Sequence, residues 1–544
     1  MTDRPSRARA ARIAGFLLFA IAAAAVAVYL HLGLPNIPDR DALYHFRHAA
    51  IYADEGLFAN EFPWTAYSVV STFASDIWYG FHLLLIPFTR VGDPIRGVKL
   101  AGAFALLALL VLFFVAVRLC GARWPFLWPF LLLAFSPFQL YRLLMTRPHV
   151  ISMGLAAVLV SCAAGGSVLG VGLVSFAVTF IHLGFFWIIP LVIAAVAFTK
   201  WQTEGRWEWR TAAAGALGGA LGWLLRPNPV GAAKLVYVQI VQLAVAKEKG
   251  LPLLFGGDLL PGVEALQRYP GELLLNVVPA GMLWLGAAII FLAALCHQAK
   301  LPPGRRTLLW SSLILSAVSL AMAVEFSVRA VDLWSVFGVL FVSGVFSFIL
   351  HPRAAAETQY STRRQLSILV GVGLLVMGFM AWRAVDEYAD RMRPMGYPPH
   401  RLRAAAQWLH DHATPGDIVF NAHWDLFPEL FFWNPRNRYV GGMDPIFQYA
   451  YDPERYWKAH HIYLGRAASH TAGTPALAKA QAEDTYAVLR RDFAACYLLL
   501  ETKRLRRLYA YAEADPRFVL TYEDETAAIF RLEPRKEAAF PAPD

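Results

Sequence analysis

Charge is scarce in this sequence. Asp, Glu, Lys and Arg make up 16% of the 544 residues, against roughly a quarter in soluble globular chains. That excludes an ordinary soluble enzyme for most of the length. Cysteine is scarcer still: Cys120, Cys162, Cys296 and Cys496 are the only four. They show no paired spacing, and the first three lie in or beside apolar runs. Neither a disulfide framework nor a zinc site is suggested. The apolar runs themselves hold almost no ionisable side chain, although 57% of the chain is hydrophobic. A transporter is expected to place some charge at mid-membrane depth, because intramembrane ionisable groups mark substrate and ion pathways.

What is present is a series of runs of about 20 apolar residues, the length that crosses a bilayer core as a helix. The chain reads as a polytopic α-helical membrane protein of about eleven spans, at 12–32, 98–117, 126–140, 150–164, 168–181, 185–198, 212–225, 273–295, 308–324, 333–350 and 366–382. The first run lacks a cleavage site and is read as a retained helix. The piece "FHLLLIPF" is too short to span comfortably and holds Pro87. It is read as an amphipathic helix along the outer interface, because only then do the compact Lys/Arg clusters fall on one side. The net charge of +10 is thus a topology signal, and no nucleic-acid partner is expected. The N-terminus is placed in the cytoplasm.

The outer segments then include a first loop, 33–97, a long loop, 226–272, and everything after about 384. The domain division is a membrane domain, 1–383, an α/β domain, 384–535, and a disordered tail, 536–544. In the α/β domain "DIVFNA", "RNRYVGG" and "ACYLLLE" read as strands and "FVLTYEDE" with "AAIFRLE" as a terminal hairpin. The Gly256-Gly257 pair and prolines of the long loop suit a segment that closes over a ligand. The Ala- and Arg-rich composition fits a bacterial chain, so the expected location is the cytoplasmic (inner) membrane with the α/β domain in the periplasm.

The polar residues gather at the outer ends of the spans: Asp39, Asp41, His45, Arg47, Asp76, Arg142, Arg147, His149, Arg226, Arg329 and Asp332. Such a site suits a substrate with a lipid tail in the bilayer and a charged head at the surface. Arginine forks suit phosphate, and Asp with His can hold Mg²⁺ or Mn²⁺. Glycosyl transfer from a polyprenyl-phosphate sugar needs stabilisation of the leaving phosphate and a carboxylate for the acceptor. Simpler readings compete: Asp41 as a helix N-cap, Arg329 paired with Asp332, Asp425 as a cap, and His182 as a structural histidine.

"DALYHFR", Asp41 to Arg47, resembles the signature after the first span of oligosaccharyltransferase catalytic subunits, members of the GT-C glycosyltransferase superfamily. "SPFQLYRLLMTRPHV" occupies the position of their second outer motif, "FSVRAVDLW" resembles their arginine-bearing late span, and "IVFNAHWDLFPELFF" resembles their Trp-Trp-Asp region. The resemblance implies that Asp41 binds metal and approaches the acceptor, and that Arg329 contacts the lipid phosphate. Around these the reading adds Asp39 and Asp76 as further catalytic carboxylates. Arg47, Arg142, Arg147 and Arg226 are further phosphate ligands, and Tyr44 and His45 are site neighbours. Two departures matter. Arg147-Pro148-His149 replaces the acidic metal ligands of the second motif, so His149 substitutes as a ligand, or the metal is absent or held differently. His423-Trp424-Asp425-Leu426 keeps only part of the acceptor motif, with Trp424 and Asp425 as acceptor contacts. The resemblance therefore implies transfer of a sugar or glycan from a polyprenyl-phosphate or polyprenyl-pyrophosphate donor to another acceptor: a glycan, a lipid or a different protein site. The alternatives are a transporter or flippase of lipid-linked glycans and a membrane-anchored binding or sensing protein.

Overall fold

A computed structural model describes residues 4–243, 271–296, 301–325, 327–350, 360–468 and 481–533. The chain divides into two units. The first takes Met1–Phe58, Ile77–Pro229 and Pro261–Tyr397; the second takes Ala59–Asp76, Val230–Leu260 and Pro398–Asp544. The expected boundary at 383/384 therefore moves to 397/398, and part of the first loop, 59–76, belongs with the α/β unit. Most of the long loop, including Gly256-Gly257, and the tail 536–544 lie outside the described residues.

The first unit is helical. Its helices are α1 (Arg4–Leu32), α2 (Asp41–Glu55), α3 (Tyr79–Thr89), α4 (Pro94–Leu119), α5 (Trp128–Leu133), α6 (Pro137–Leu143) and α7 (Pro148–Ala164). Then follow α8 (Val168–Ile181), α9 (Ile188–Glu204), α10 (Trp209–Leu224), α11 (Gly271–Cys296), α12 (Pro303–Glu325), α13 (Val331–Ile349) and α14 (Tyr360–Glu387). Among the described residues, seven helices are long and apolar enough to cross a membrane, or eight if the bent pair α6–α7 is one span. The other expected spans are shorter. Val168–Ile181 is a helix of 14 residues and Trp209–Leu224 one of 16. The run 126–140 is not one helix but two, α5 and α6. The chain is a multi-pass membrane protein built around α13, whose apolar window is 94% buried against 22% for the span in α1. A helix apolar on all sides is stable either inside a protein core or against lipid.

Prolines set the break. Ser136 caps α6, accepting from the Gln139 N–H at 3.0 Å, with Pro137 in its first turn. Pro148 opens α7 and disfavours helical backbone at the residue before it. Arg147 is accordingly extended, at φ −130° and ψ 153°. The axes of α6 and α7 meet at 106°. The piece expected as a short helix is helix α3, which runs through Pro87 to Thr89; a single proline removes one N–H from the ladder. Small residues bring α8 and α10 together. A Cβ on Gly218 would lie 2.1 Å from the Gly172 carbonyl oxygen, so only glycine permits this approach. Thr179 donates across the pair to the Gly219 carbonyl at 2.9 Å, as expected for spans joined by packing and hydrogen bonds.

The second unit holds a five-stranded sheet in the order β2-β1-β3-β5-β4. The strands are β1 (Ile418–Asn421), β2 (Arg438–Tyr439), β3 (Ala495–Glu501), β4 (Phe518–Glu523) and β5 (Ala527–Leu532). β1 runs parallel to β2 and β3, and β5 antiparallel to β3 and β4. The strands fall where the β-rich runs predict. The reading missed an edge: Tyr439 exchanges hydrogen bonds with Trp64 and Ala66 at 2.8 and 2.7 Å. The 59–76 segment thereby extends the sheet beyond β2.

Candidate active site

Local geometry carries two carboxylates to one arginine. Asp39 ends the turn before α2, and its Oδ1 accepts the Asp41 N–H at 3.3 Å. Asp39, not Asp41, is thus the side chain that caps the start of α2. The extended Arg147 reaches this point from the α6–α7 turn. Its Nε lies 2.5 Å from Asp39 Oδ2, its Nη2 2.7 Å from Asp39 Oδ1, and its Nη2 2.8 Å from Asp41 Oδ2. The Asp39 side chain is 8% exposed and that of Asp41 38%. Asp39 is engaged and buried. Asp41 keeps enough exposure to meet a ligand.

Cationic groups converge on the start of α7. The His149 Nε2 donates to the Arg142 carbonyl oxygen at 3.2 Å. Its ring lies within electrostatic reach of Arg142, Arg147, His182 and Arg329. His182 is in turn within reach of Arg329 and Arg226, and its Nδ1 lies 3.2 Å from the Ser152 hydroxyl. The Ser152 hydroxyl also donates to the Pro148 carbonyl at 3.0 Å, so it accepts from His182, which fixes the Nδ1–H tautomer. The N-terminus of α7 adds its own partial positive charge.

Not every expected phosphate ligand is available. Arg142 forms a buried two-pronged pair with Asp332, Nε to Oδ1 at 2.9 Å and Nη2 to Oδ2 at 2.7 Å, with the side chains 3% and 9% exposed. Asp332 is therefore the partner of Arg142. Buried Arg226 donates to carbonyl oxygens of Thr179, Phe180, Gly222 and Trp223, tying together the ends of α8 and α10. Arg47 responds to Asp54 and Glu55 farther along its own helix. Tyr44 and His45 turn inward. The Tyr44 hydroxyl meets His48 Nδ1 at 3.0 Å, His45 Nδ1 meets His82 Nε2 at 2.8 Å, and the His48 and His82 rings stack at 4.4 Å. Sequence reasoning missed this imidazole cluster; the Tyr44–His48 spacing of four was its only visible sign.

The metal expectation rests on Asp41 and His149, and this donor set does not fit a divalent cation. The Asp41 carboxylate faces Arg147, and His149 spends its Nε2–H on a carbonyl among arginines. Among the described residues, no group of three ligating side chains includes either residue.

In the second unit, Asp76 is buried at 7% exposure, at the end of the 59–76 segment. Trp424 and Asp425 diverge in role. Asp425 accepts from Arg504 Nη1 at 3.0 Å and from the His423 ring. Trp424 lines a cleft with His423, Gln448, Tyr456 and Tyr463. Arg504 also meets His423 Nε2 at 3.2 Å. A guanidinium only donates, so the imidazole proton sits on Nδ1, facing Asp425.

No protein-family model matches the chain, and no curated protein matches it. Solved structures do. ArnT from Cupriavidus metallidurans in the apo state aligns with a TM-score of 0.52 at 13% identity, over 95% of this chain and 98% of that one. The same protein bound to undecaprenyl phosphate gives 0.54 at 12% identity, over 97% and 99%. The arabinofuranosyltransferase AftD from Mycobacteria gives 0.52 at 16% identity, over 95% of this chain and 40% of that chain. At these identities the likeness is one of fold: the chain has the fold of the GT-C membrane glycosyltransferases.

Proposed function

We propose that the protein is a glycosyltransferase that moves a sugar from a polyprenyl-phosphate donor to an acceptor at the outer face of a bacterial inner membrane. The observation that carries this reading is the join made by Arg147. It couples the half-exposed Asp41 to a turn where His149, His182 and Arg329 converge. ArnT, of the same fold, has been solved with undecaprenyl phosphate bound, which supports a polyprenyl donor. The outer unit, with Trp424, is assigned to the acceptor side.

The chemistry follows from the groups. The bond between the anomeric carbon and the donor phosphate oxygen breaks, and its electron pair leaves with the phosphate. Arg329 and the start of α7 stabilise that charge where it develops. The acceptor oxygen forms the new bond to the anomeric carbon and loses its proton to the Asp41 carboxylate. Asp39 and Arg147 orient Asp41, so the carboxylate is in place before the acceptor arrives.

The test is transfer of radiolabelled sugar from a panel of polyprenyl-phosphate donors to membrane glycan extract, by purified wild type and by Asp41→Asn. The expected result is transfer by the wild type and its loss in a variant that still folds. Equal transfer by Asp41→Asn overturns the assignment of Asp41.

A further inference from the structure

The second unit contains a cleft that the transfer chemistry does not use. Its cavity volume is about 70 Å³, so it is an open, shallow cleft rather than an enclosed pocket. β1, β2 and the helices Pro445–Tyr451 and Pro453–Tyr463 build it. Its lining includes the rings of Trp424, Tyr456, Tyr463 and His460, and no Asp, Glu, Lys or Arg. The nearest cation, Arg504 beside His423 and Tyr463, is already paired with Asp425 and Glu501, so the lining favours a neutral molecule.

In the lining, two buried donors stand without a partner among the described residues, Trp424 Nε1 and Gln448 Nε2. Gln448 is 7% exposed. Unsatisfied buried polar atoms are rare and call for an explanation, and a ligand with acceptor oxygens supplies one. The walls around them are fixed. Asn421 donates to the His423 and Gly441 carbonyl oxygens at 3.1 and 2.9 Å and accepts from the Gly441 N–H at 3.1 Å. A Cβ on Gly441 would sit 3.0 Å from the Trp424 Cα, so glycine lets that wall close. The His423 ring stands 4.6 Å from that of Tyr463.

We infer that this cleft is a saccharide-binding site for an uncharged sugar residue of a glycan. The C–H face of a sugar ring carries partial positive charge and suits the negative face of an aromatic ring. Sugar hydroxyls accept from the amide and indole N–H groups. A purely apolar ligand would leave both donors unsatisfied. The inference deepens the reading above, since it names the class of molecule met by the unit assigned to the acceptor. It is tested apart from transfer.

The experiment is saturation-transfer difference NMR on the full-length protein in nanodiscs, with maltotriose, α-mannotriose and α-arabinotriose as probes. Wild type is expected to transfer saturation to at least one trisaccharide. Gln448→Leu, close in shape but without the donor, is expected to weaken that probe's affinity about fivefold or more. Tyr463→Ala checks the ring contribution, with thermal unfolding confirming that both variants fold. No saturation of any trisaccharide, or undiminished affinity in Gln448→Leu, overturns the inference. Saccharide binding by a protein that transfers nothing from the polyprenyl-phosphate panel keeps this inference and removes the transferase reading. Transfer without trisaccharide binding does the reverse.

Discussion

Arginine does different work in the two units. In the second unit Arg401 lies between Glu429, at 2.7 Å, and Glu501. Burial alone would lower its pKa, but Glu429 and then Glu501 raise it above the ordinary value. Its charge is consumed in joining the helix Phe427–Trp433 to β3. In the membrane unit Arg142 is used the same way, by Asp332 on α13. Arg147 is not. It shares itself between a buried Asp39 and a half-exposed Asp41, and it sits beside further cations at a helix start. An arginine whose carboxylates are all buried holds a fold together. One that leaves a carboxylate open beside extra positive charge makes a site.

The comparison can be broken by substitution. The largest effect is expected at Asp41: Asp41→Asn lowers transfer by about 10²–10³-fold with little change in unfolding temperature, read by the radiolabel assay and by scanning fluorimetry. Asp332→Ala reverses the pattern. It leaves Arg142 as an uncompensated buried charge and destabilises the membrane unit by about 3–5 kcal/mol, seen as a loss of folded protein in thermal aggregation assays. Equal stability of Asp332→Ala and wild type would mean that Arg142 is not committed to the fold. Arg401→Met acts on the second unit, where Glu429 is 1% exposed. A cost of about 2–3 kcal/mol is expected, localised to β1 and β3 by hydrogen exchange.

The smallest effect is one of pH. Hydrogen bonds from Arg491 and then Lys458 outweigh burial and hold the Asp492 carboxyl at about 2, below its ordinary 3.8. A depressed carboxylate contributes stability above its unfolded pKa, and that contribution is lost as pH falls through the folded one. The second unit should therefore weaken between pH 3.8 and about 2. Solvent screening keeps the Asp492 share below about 1 kcal/mol. Asp492→Asn should flatten this part of a hydrogen-exchange profile of β3.

The legibility of these features in the sequence follows their range. Apolar runs mark the helices because their period and length are local, and the β-rich runs mark all five strands for the same reason. The break at Ser136-Pro137 was overlooked because the run 126–140 is apolar but for Ser136 and Gln139, although proline chemistry signals it. The Arg142–Asp332 pair joins residues 190 apart and the Arg147–Asp39 pair residues 108 apart. No pattern in one chain brings such partners together. Asp41 stood out because it opens a motif, whereas Tyr44 and His45 of the same motif face an internal imidazole cluster. Asp425 was taken with Trp424 because they are adjacent, yet one turns to Arg504 and the other to the cleft.

The central claim is that the membrane unit, through Arg329 and its neighbours, holds the lipid phosphate. Native mass spectrometry of undecaprenyl phosphate bound to wild type, Arg329→Ala and Arg401→Ala tests it most directly. The account predicts binding by wild type and Arg401→Ala, and binding weakened about tenfold or more in Arg329→Ala, as expected for the loss of a charge-assisted contact. Equal binding by all three proteins would contradict it.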